Sequence, residues 1–234
     1  MFITYVYEGT GSAMTITNGI DLVGEGGLVW LKYRNAAEPG QILDTVRGKT
    51  KDLRPDSYAG EGTNTDRISA WNADGFTLST NSVVNTNGGK HVSWTFRQAP
   101  GFFDVVTYNG TGSTQDIPHS LGSVPGMIIV KKSSGVDNWQ VWHKSISTGS
   151  LSSNDLIKLD QNGGEINRNS FIGTANSSTF EVGTDNAVNA SGGDYVAYIF
   201  ADGDRLMLKS SVMLVMKVLL NVDLLQQMVL VQQL

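Results

Sequence analysis

The chain has 234 residues, of which 40% are apolar and 17% are charged, and its formal net charge at pH 7 is −5. This composition is typical of a globular protein, and the acidic balance argues against a nucleic-acid partner, which requires a basic surface. The absence of cysteine excludes disulfides, thiolate nucleophiles and the common structural zinc sites.

The first residues already have the character of a β-strand. Residues 1–6 contain neither a basic segment nor a long apolar one, so we expect no signal peptide. Because the chain begins inside a predicted strand, we expect it to be a piece of a longer array or the product of a truncated reading frame.

The sequence repeats itself. Residues 2–12 return as residues 103–113, and residues 85–96 return as residues 189–200. This spacing predicts a tandem unit of about 100 residues, long enough for each copy to hold a core of its own. We place the first domain at 1–101, the second at 102–203, and an atypical tail at 204–234. The junction at Pro100 and Gly101 is too short for a flexible linker, so we expect a fixed relative orientation.

Short runs of β-branched and aromatic residues, separated by Gly, Asn and Ser, predict strands throughout both copies. Val92, Trp94 and Phe96 alternate with polar residues, as do their counterparts in the second copy, which predicts a half-buried strand. Further strands are predicted at 2–7, 28–33, 41–46 and 76–79, and in the second copy at 103–108, 127–132, 139–144 and 180–183. The fold class is therefore all-β, with two tandem β-sandwich modules of the jelly-roll or concanavalin-like type.

Residues 204–234 break this pattern, because they are dense in Leu, Val, Met and Gln and, beyond Asp204, lack Gly. Three interpretations compete: a helix without a clean heptad, a membrane span interrupted by Lys209 and Lys217, and a lost reading frame. We favour the third, and expect an irregular or helical tail, without a membrane span, that does not pack on the modules.

Several segments resemble a family. Residues 27–32, 43–48, 71–78 and 92–106, continued by 119–126 and 139–143, are similar to a repeated module of virion structural proteins from tailed, often marine, phages. The resemblance covers residues 1–203 and implies a tail-fibre-like or other virion-surface protein. It brings no catalytic residues, and the stretch after Asp204 departs from it.

Catalytic, metal and cofactor sites are not predicted. His91, His119 and His143 are isolated in sequence, and His91 is replaced by a tyrosine in the second copy, which suits a strand position better than a ligand. No two glutamates are closer than 13 residues, which disfavours a carboxylate pair for glycoside hydrolysis. The repeated Gly-Thr-Gly-Ser segments at 9–12 and 110–113 are interpreted as hairpin turns.

One weak candidate for ligand contact remains. Aligning Leu43 with Val141 puts Gln140, Trp142 and Lys144 on one face of a strand, where Trp142 is the single aromatic among polar neighbours. Such a tryptophan would stack on a sugar or against a neighbouring subunit, unless a local loop shields it.

We therefore expect a non-enzymatic phage virion protein, a tail-fibre-like component that contributes to host attachment. A glycan-binding, lectin-like module is the alternative, and a polysaccharide-degrading tail enzyme is third. The expected partners are other virion or tail proteins, a host surface glycan and further copies of this chain.

Overall fold

The computed structural model describes residues 1–144, 155–163, 166–167 and 172–202. Strands account for 48% of the residues and helix for 4%, which confirms the all-β prediction. The predicted tail at 204–234 lies outside the described residues, and the domain boundaries stay predictions.

The two copies have the same order of elements. In the first copy these are β1 (Phe2–Glu8), β2 (Met14–Thr17), β3 (Gly27–Tyr33), β4 (Gln41–Asp44), β5 (Lys51–Asp52), β6 (Gly62–Thr63), β7 (Ile68–Asn72), β8 (Gly75–Leu78), α1 (Ser82–Asn85) and β9 (Lys90–Arg97). The second copy has β10 (Phe103–Asn109), β11 (Gln115–Pro118), β12 (Pro125–Lys132), β13 (Gln140–His143), β14 (Asp155–Lys158), β15 (Ile166–Asn167), β16 (Ile172–Ala175), β17 (Thr179–Val182), α2 (Asn186–Asn189) and β18 (Asp194–Ala201).

In the described residues each copy forms a large and a small antiparallel sheet, and β5 and β6 of the first copy form a further two-stranded sheet. The large sheets have the orders β1-β9-β3-β4 and β10-β18-β12-β13-β14-β15, and the small sheets have the orders β2-β8-β7 and β11-β17-β16. The segments predicted as strands coincide with observed strands to within a few residues. The short strands β2, β5, β6 and β7 and their counterparts were not predicted, because runs of two to five largely polar residues carry little periodicity.

Three apolar clusters separate the sheets. The first-repeat cluster joins residues of the first large and small sheets, such as Val29, Leu31 and Phe76. The second-repeat cluster does the same in the second copy, with Ile128 and Phe180 among its members. The central cluster takes residues from both large sheets: Leu28, Trp30, Ile42, Leu53, Val92, Trp94, Phe96, Phe103, Val105, Met127, Ile129, Trp139, Val141, Leu159, Val196, Tyr198 and Phe200. The large sheets therefore face each other, and the small sheets lie on the two outer sides.

This layering corrects the prediction for β9. Besides Trp94 and Phe96, which lie in the central cluster, the alternate residues Ser93 and Thr95 are also fully buried. β1 and β3 pair with its two edges, and its two faces are covered by the central cluster on one side and the first-repeat cluster on the other. The equivalent aromatics of the two copies meet directly, since the rings of Phe96 and Phe200 are 5.5 Å apart at 82°.

The Gly-Thr-Gly-Ser segments are not hairpin turns. They connect β1 to β2 and β10 to β11, strands that belong to different sheets. A buried asparagine holds the first corner: Asn85 Nδ2 donates to Ser12 O (2.6 Å) and Ser79 O (2.8 Å), while its Oδ1 accepts from Thr10 N (2.8 Å). Asn189 makes the equivalent bonds to Ser113 O, Gly183 O and Thr111 N in the second copy. We call the hydrogen bonds of this asparagine the latch. It connects the Gly-Thr-Gly-Ser segment of each copy to the single-turn helix, α1 or α2, that ends in the asparagine.

The latch yields a stability prediction. We expect Asn85→Ala to lower the free energy of unfolding by about 1–3 kcal/mol, because Thr10 N, Ser12 O and Ser79 O lose the side chain that bonds to them. Asn87→Ala, at an exposed position in the following turn, should change it by less than about 0.5 kcal/mol. Urea unfolding of both variants measures the difference, and equal losses would contradict the latch.

Candidate functional site

The tryptophan proposed as a ligand contact is buried. Trp142 is 1% exposed and lies in the second-repeat cluster, and Gln140 is fully buried. Lys144 is half exposed, and its ammonium pairs with the carboxylate of Asp202. The three residues therefore do not form an exposed surface, and the prediction of a solvent-facing Trp142 is wrong.

The prediction also contained a slip of one residue in aligning the copies. Val29 pairs with Leu43 in the first large sheet, and Ile128 pairs with Trp142 in the second. Trp142 is thus the counterpart of Leu43, which is also fully buried. The slip does not by itself explain the burial, because both faces of β13 are covered: Val141 lies in the central cluster and Trp142 in the second-repeat cluster.

The structure shows instead a polar cleft of about 610 Å³ between the two copies. Its volume is within the usual range for small-molecule sites. The lining residues are Val46, Arg47, Lys51, Gly60 and Glu61 from the first copy, and Thr107, Tyr108, Asn109, Ser133, Ser134, Gly135, Asp194 and Tyr195 from the second. Sequence reasoning missed the cleft because no motif links segments so far apart in the chain.

One wall of the cleft is built on Arg47, whose side chain is 4% exposed. Its Nε donates to Asp44 Oδ2 (2.7 Å), and its Nη1 lies 3.4 Å from Glu61 Oε2. From the second copy, the hydroxyl of Tyr198 donates to Asp44 Oδ2 (2.9 Å) and accepts from Arg47 Nη2 (3.0 Å). The buried ion pair is therefore completed by a residue of the other copy, which satisfies charges that would otherwise be costly to bury.

The loop between β5 and β6 forms the rest of this wall and is held by Lys131 of the second copy. Lys131 is fully buried, and its Nζ donates to the carbonyl oxygens of Tyr58 (3.2 Å), Lys132 (3.0 Å) and Asp137 (2.9 Å). Burial lowers the pKa of Lys131 to about 8. The equivalent Lys32 donates to Glu38 O within its own copy, so the bond to Tyr58 is an addition that joins the copies.

Backbone contacts close the same junction. Glu61 N donates to Ser133 O (2.8 Å), and Asp137 N donates to Tyr58 O (2.9 Å). A Cβ on Gly60 would lie 2.7 Å from Ser133 O, so only glycine allows this approach. The indole Nε1 of Trp139 donates to Arg54 O (2.8 Å) beneath the loop.

The charges that line the cleft balance. Lys51 Nζ lies 3.1 Å from Glu61 Oε1, which also faces Arg47. On the opposite side, Asn109 Nδ2 donates to the Asp194 carboxylate. The cleft thus presents two cations and two carboxylates, each with a polar partner, and a mixed set of hydroxyl and amide groups.

The histidines lie apart from the cleft lining. His119 Nδ1 accepts from Leu121 N (3.2 Å), and His143 ends β13. Among the described residues, no three His, Asp or Glu side chains come together as a metal site. The helices of the described residues are α1 and α2, which have four residues each. Neither is long enough to cross a membrane.

Comparison with known proteins identifies a family but no characterised relative. A profile of the family described as "Domain of unknown function (DUF7483)" matches residues 1–205. No curated protein and no solved structure matches the chain. The cleft is therefore interpreted from its own geometry.

His91 is a buried, unpaired imidazole. Its ring is fully buried between Tyr7 (5.2 Å, 12°) and Tyr33 (4.4 Å, 23°), and neither ring nitrogen has a hydrogen-bond partner. Burial lowers the pKa of His91. The counterpart in the second copy, Tyr195, donates its hydroxyl proton to Asn186 O (2.7 Å).

This arrangement predicts acid sensitivity. In the unfolded chain a histidine takes up a proton near pH about 6.5, whereas the pKa of His91 in the folded protein is lower. The free energy of unfolding therefore decreases as the pH falls below the unfolded pKa and continues to decrease until it passes the folded pKa. His119 and His143, whose pKa values are also lowered by burial, act in the same direction. We expect His91→Tyr to reduce the difference in the free energy of unfolding between about pH 8 and pH 5. An undiminished difference would show that His91 does not resist protonation.

Proposed function

The chain belongs to a family of domains of unknown function, DUF7483, and we propose that it is a non-enzymatic virion structural protein of a tailed phage, a tail-fibre-like surface component that contributes to host attachment. The observation that carries the proposal is the central cluster, which makes one continuous block of the two copies. A block without a linker transmits force and holds loops in fixed positions, as a surface fibre must. The similarity of residues 1–203 to repeated virion modules supports the same role.

The arrangement of charges supports a structural role. Arg47 and Lys131 are buried cations, and each donates to acceptors in its own copy and to one residue of the other copy, Tyr198 and Tyr58 respectively. A catalytic group must instead have an unoccupied side that faces substrate. These side chains act as connectors.

We further propose that each copy is a β-sandwich of the jelly-roll or concanavalin-like type. In each, the first strand pairs with the last and the second pairs with the strand before the final helical turn, as when a long hairpin is wrapped into two sheets. The first-repeat and second-repeat clusters fill the space between the sheets. The two sandwiches then lie with their large sheets face to face.

Assembly with other virion proteins or with further copies would use the edge strands. The edge strand β1 exposes Tyr5 (36%) and Val6 (61%), and no described strand pairs with the outer side of its backbone. Such an edge can accept a strand from a neighbour.

Localisation tests the proposal. Antibodies raised against the full chain should label purified particles of the phage that encodes it, at the tail rather than inside the capsid. The purified chain should bind host cells and compete with phage adsorption. If the protein remains in the lysate of infected cells and is missing from purified particles, the proposal is overturned.

A further inference from the structure

We infer that the cleft between the copies binds a neutral saccharide, with the ring of Tyr58 as its stacking surface. The inference rests on the proposed attachment function and names the ligand class through which attachment occurs. It replaces the buried Trp142 with an aromatic residue that the structure leaves accessible.

The cleft favours a neutral ligand. Glu61 accepts from both Arg47 and Lys51, and the carboxylate of Asp194 accepts from Asn109. A phosphate or sulfate would have to displace Glu61 from both cations, and a cationic ligand would have to displace Asn109. A ligand without charge makes neither demand, so the desolvation cost of binding is lowest for it.

The polar groups suit hydroxyls. A sugar hydroxyl donates one hydrogen bond and accepts others, and therefore needs donors and acceptors side by side. The cleft supplies the hydroxyls of Thr107 and Ser134, the amide of Asn109, the carboxylate of Asp194 and the ammonium of Lys51. Thr107, Asn109, Ser134 and Asp194 are exposed, so these groups are accessible to a ligand.

Tyr58 provides the apolar surface. Its side chain is 61% exposed, and neighbouring Val136 is 67% exposed. The backbone of Tyr58 is fixed because its carbonyl accepts from Asp137 N (2.9 Å) and from Lys131 Nζ (3.2 Å). Tyr58 precedes the lining residue Gly60 by two positions and Val136 follows the lining residue Gly135 by one, so the backbone of both lies beside the cleft, and we place the exposed ring of Tyr58 at its rim. A tyrosine whose backbone is already fixed can pack its ring on the C–H face of a pyranose and lose only the rotamer freedom of its side chain.

Two variants test the site, and a third serves as a control. Tyr58→Ala removes the ring but keeps the carbonyl that Lys131 and Asp137 bind. Gly135→Leu inserts a side chain into the cleft, and it should fold because a Cβ there meets only Lys132 Cε at 3.7 Å. Tyr5→Ala removes another exposed tyrosine, on the edge strand β1 and outside the cleft lining.

The probe is an array of neutral hexose and N-acetylhexosamine oligosaccharides, printed beside sulfated and sialylated ones, followed by calorimetry on the hits. We expect the full chain to bind neutral oligosaccharides, and Tyr58→Ala and Gly135→Leu to weaken binding about tenfold or more, equivalent to about 1.4 kcal/mol. Tyr5→Ala should bind as the parent does, and all variants should keep the parent's unfolding midpoint to within a small shift.

Four results would each overturn the inference: no bound oligosaccharide, binding of charged oligosaccharides only, parent-like affinity in Tyr58→Ala, or parent-like affinity in Gly135→Leu. Particle labelling separates this test from that of the proposed function. A chain found in virions that binds no neutral saccharide removes the saccharide site alone. A chain that binds saccharide but is missing from virions removes the virion role alone.

Discussion

The packing of the two large sheets on each other is the constraint on which the rest of the structure depends. Each large sheet presents an aromatic face, with Trp94 and Phe96 in the first copy and Tyr198 and Phe200 in the second, and each face is covered by the other copy. A separated copy would expose this whole aromatic face to water, and monomeric proteins rarely expose large contiguous apolar patches. The repeat is therefore a unit of sequence, whereas the pair of copies is the unit of packing.

Polar contacts make the pairing specific. They differ between the copies. The hydroxyl of Tyr198 forms hydrogen bonds with both members of the ion pair between Asp44 and Arg47, and Lys131 Nζ donates to Tyr58 O. The lysine at the equivalent position of the first copy stays within its own copy. Because a buried polar group without its partner is costly, these contacts favour the pairing of a first copy with a second over the pairing of two identical copies.

The cleft is a consequence of this pairing. Its two walls come from different copies, and the loop that carries Tyr58, Gly60 and Glu61 is held against the strands of the second copy by backbone and lysine bonds. A site of this kind has a fixed shape before a ligand arrives, which lowers the entropy lost on binding. The joined block and the proposed saccharide site would both result from the same junction.

Much of the fold could be predicted from the sequence, because the same pattern of strand residues occurs in both copies and each occurrence supports the other. The alternation of Val92, Trp94 and Phe96 locates a strand, and the second copy repeats it. The sequence could not predict that Ser93 and Thr95 are buried as well, since small polar residues carry no hydrophobic signal when they line the back of a central strand. Nor could it fix the register at Trp142, because the spacing between equivalent residues changes along the chain: it is 101 for Phe2 and Phe103 (103 − 2) but 99 for Leu43 and Trp142 (142 − 43). The cleft depends on which sheets meet, and this information is distributed over both copies.

The most direct test of the central claim is differential scanning calorimetry of the full chain, with Lys131→Met compared with the matched variant Lys32→Met. If the copies share one core, they unfold in a single transition whose calorimetric and van't Hoff enthalpies agree. Lys131→Met then lowers the temperature of that one transition more than Lys32→Met does, because it also leaves Tyr58 O without this donor. Two separate transitions, or a Lys131→Met variant in which one copy melts early while the other is unchanged, would contradict the account.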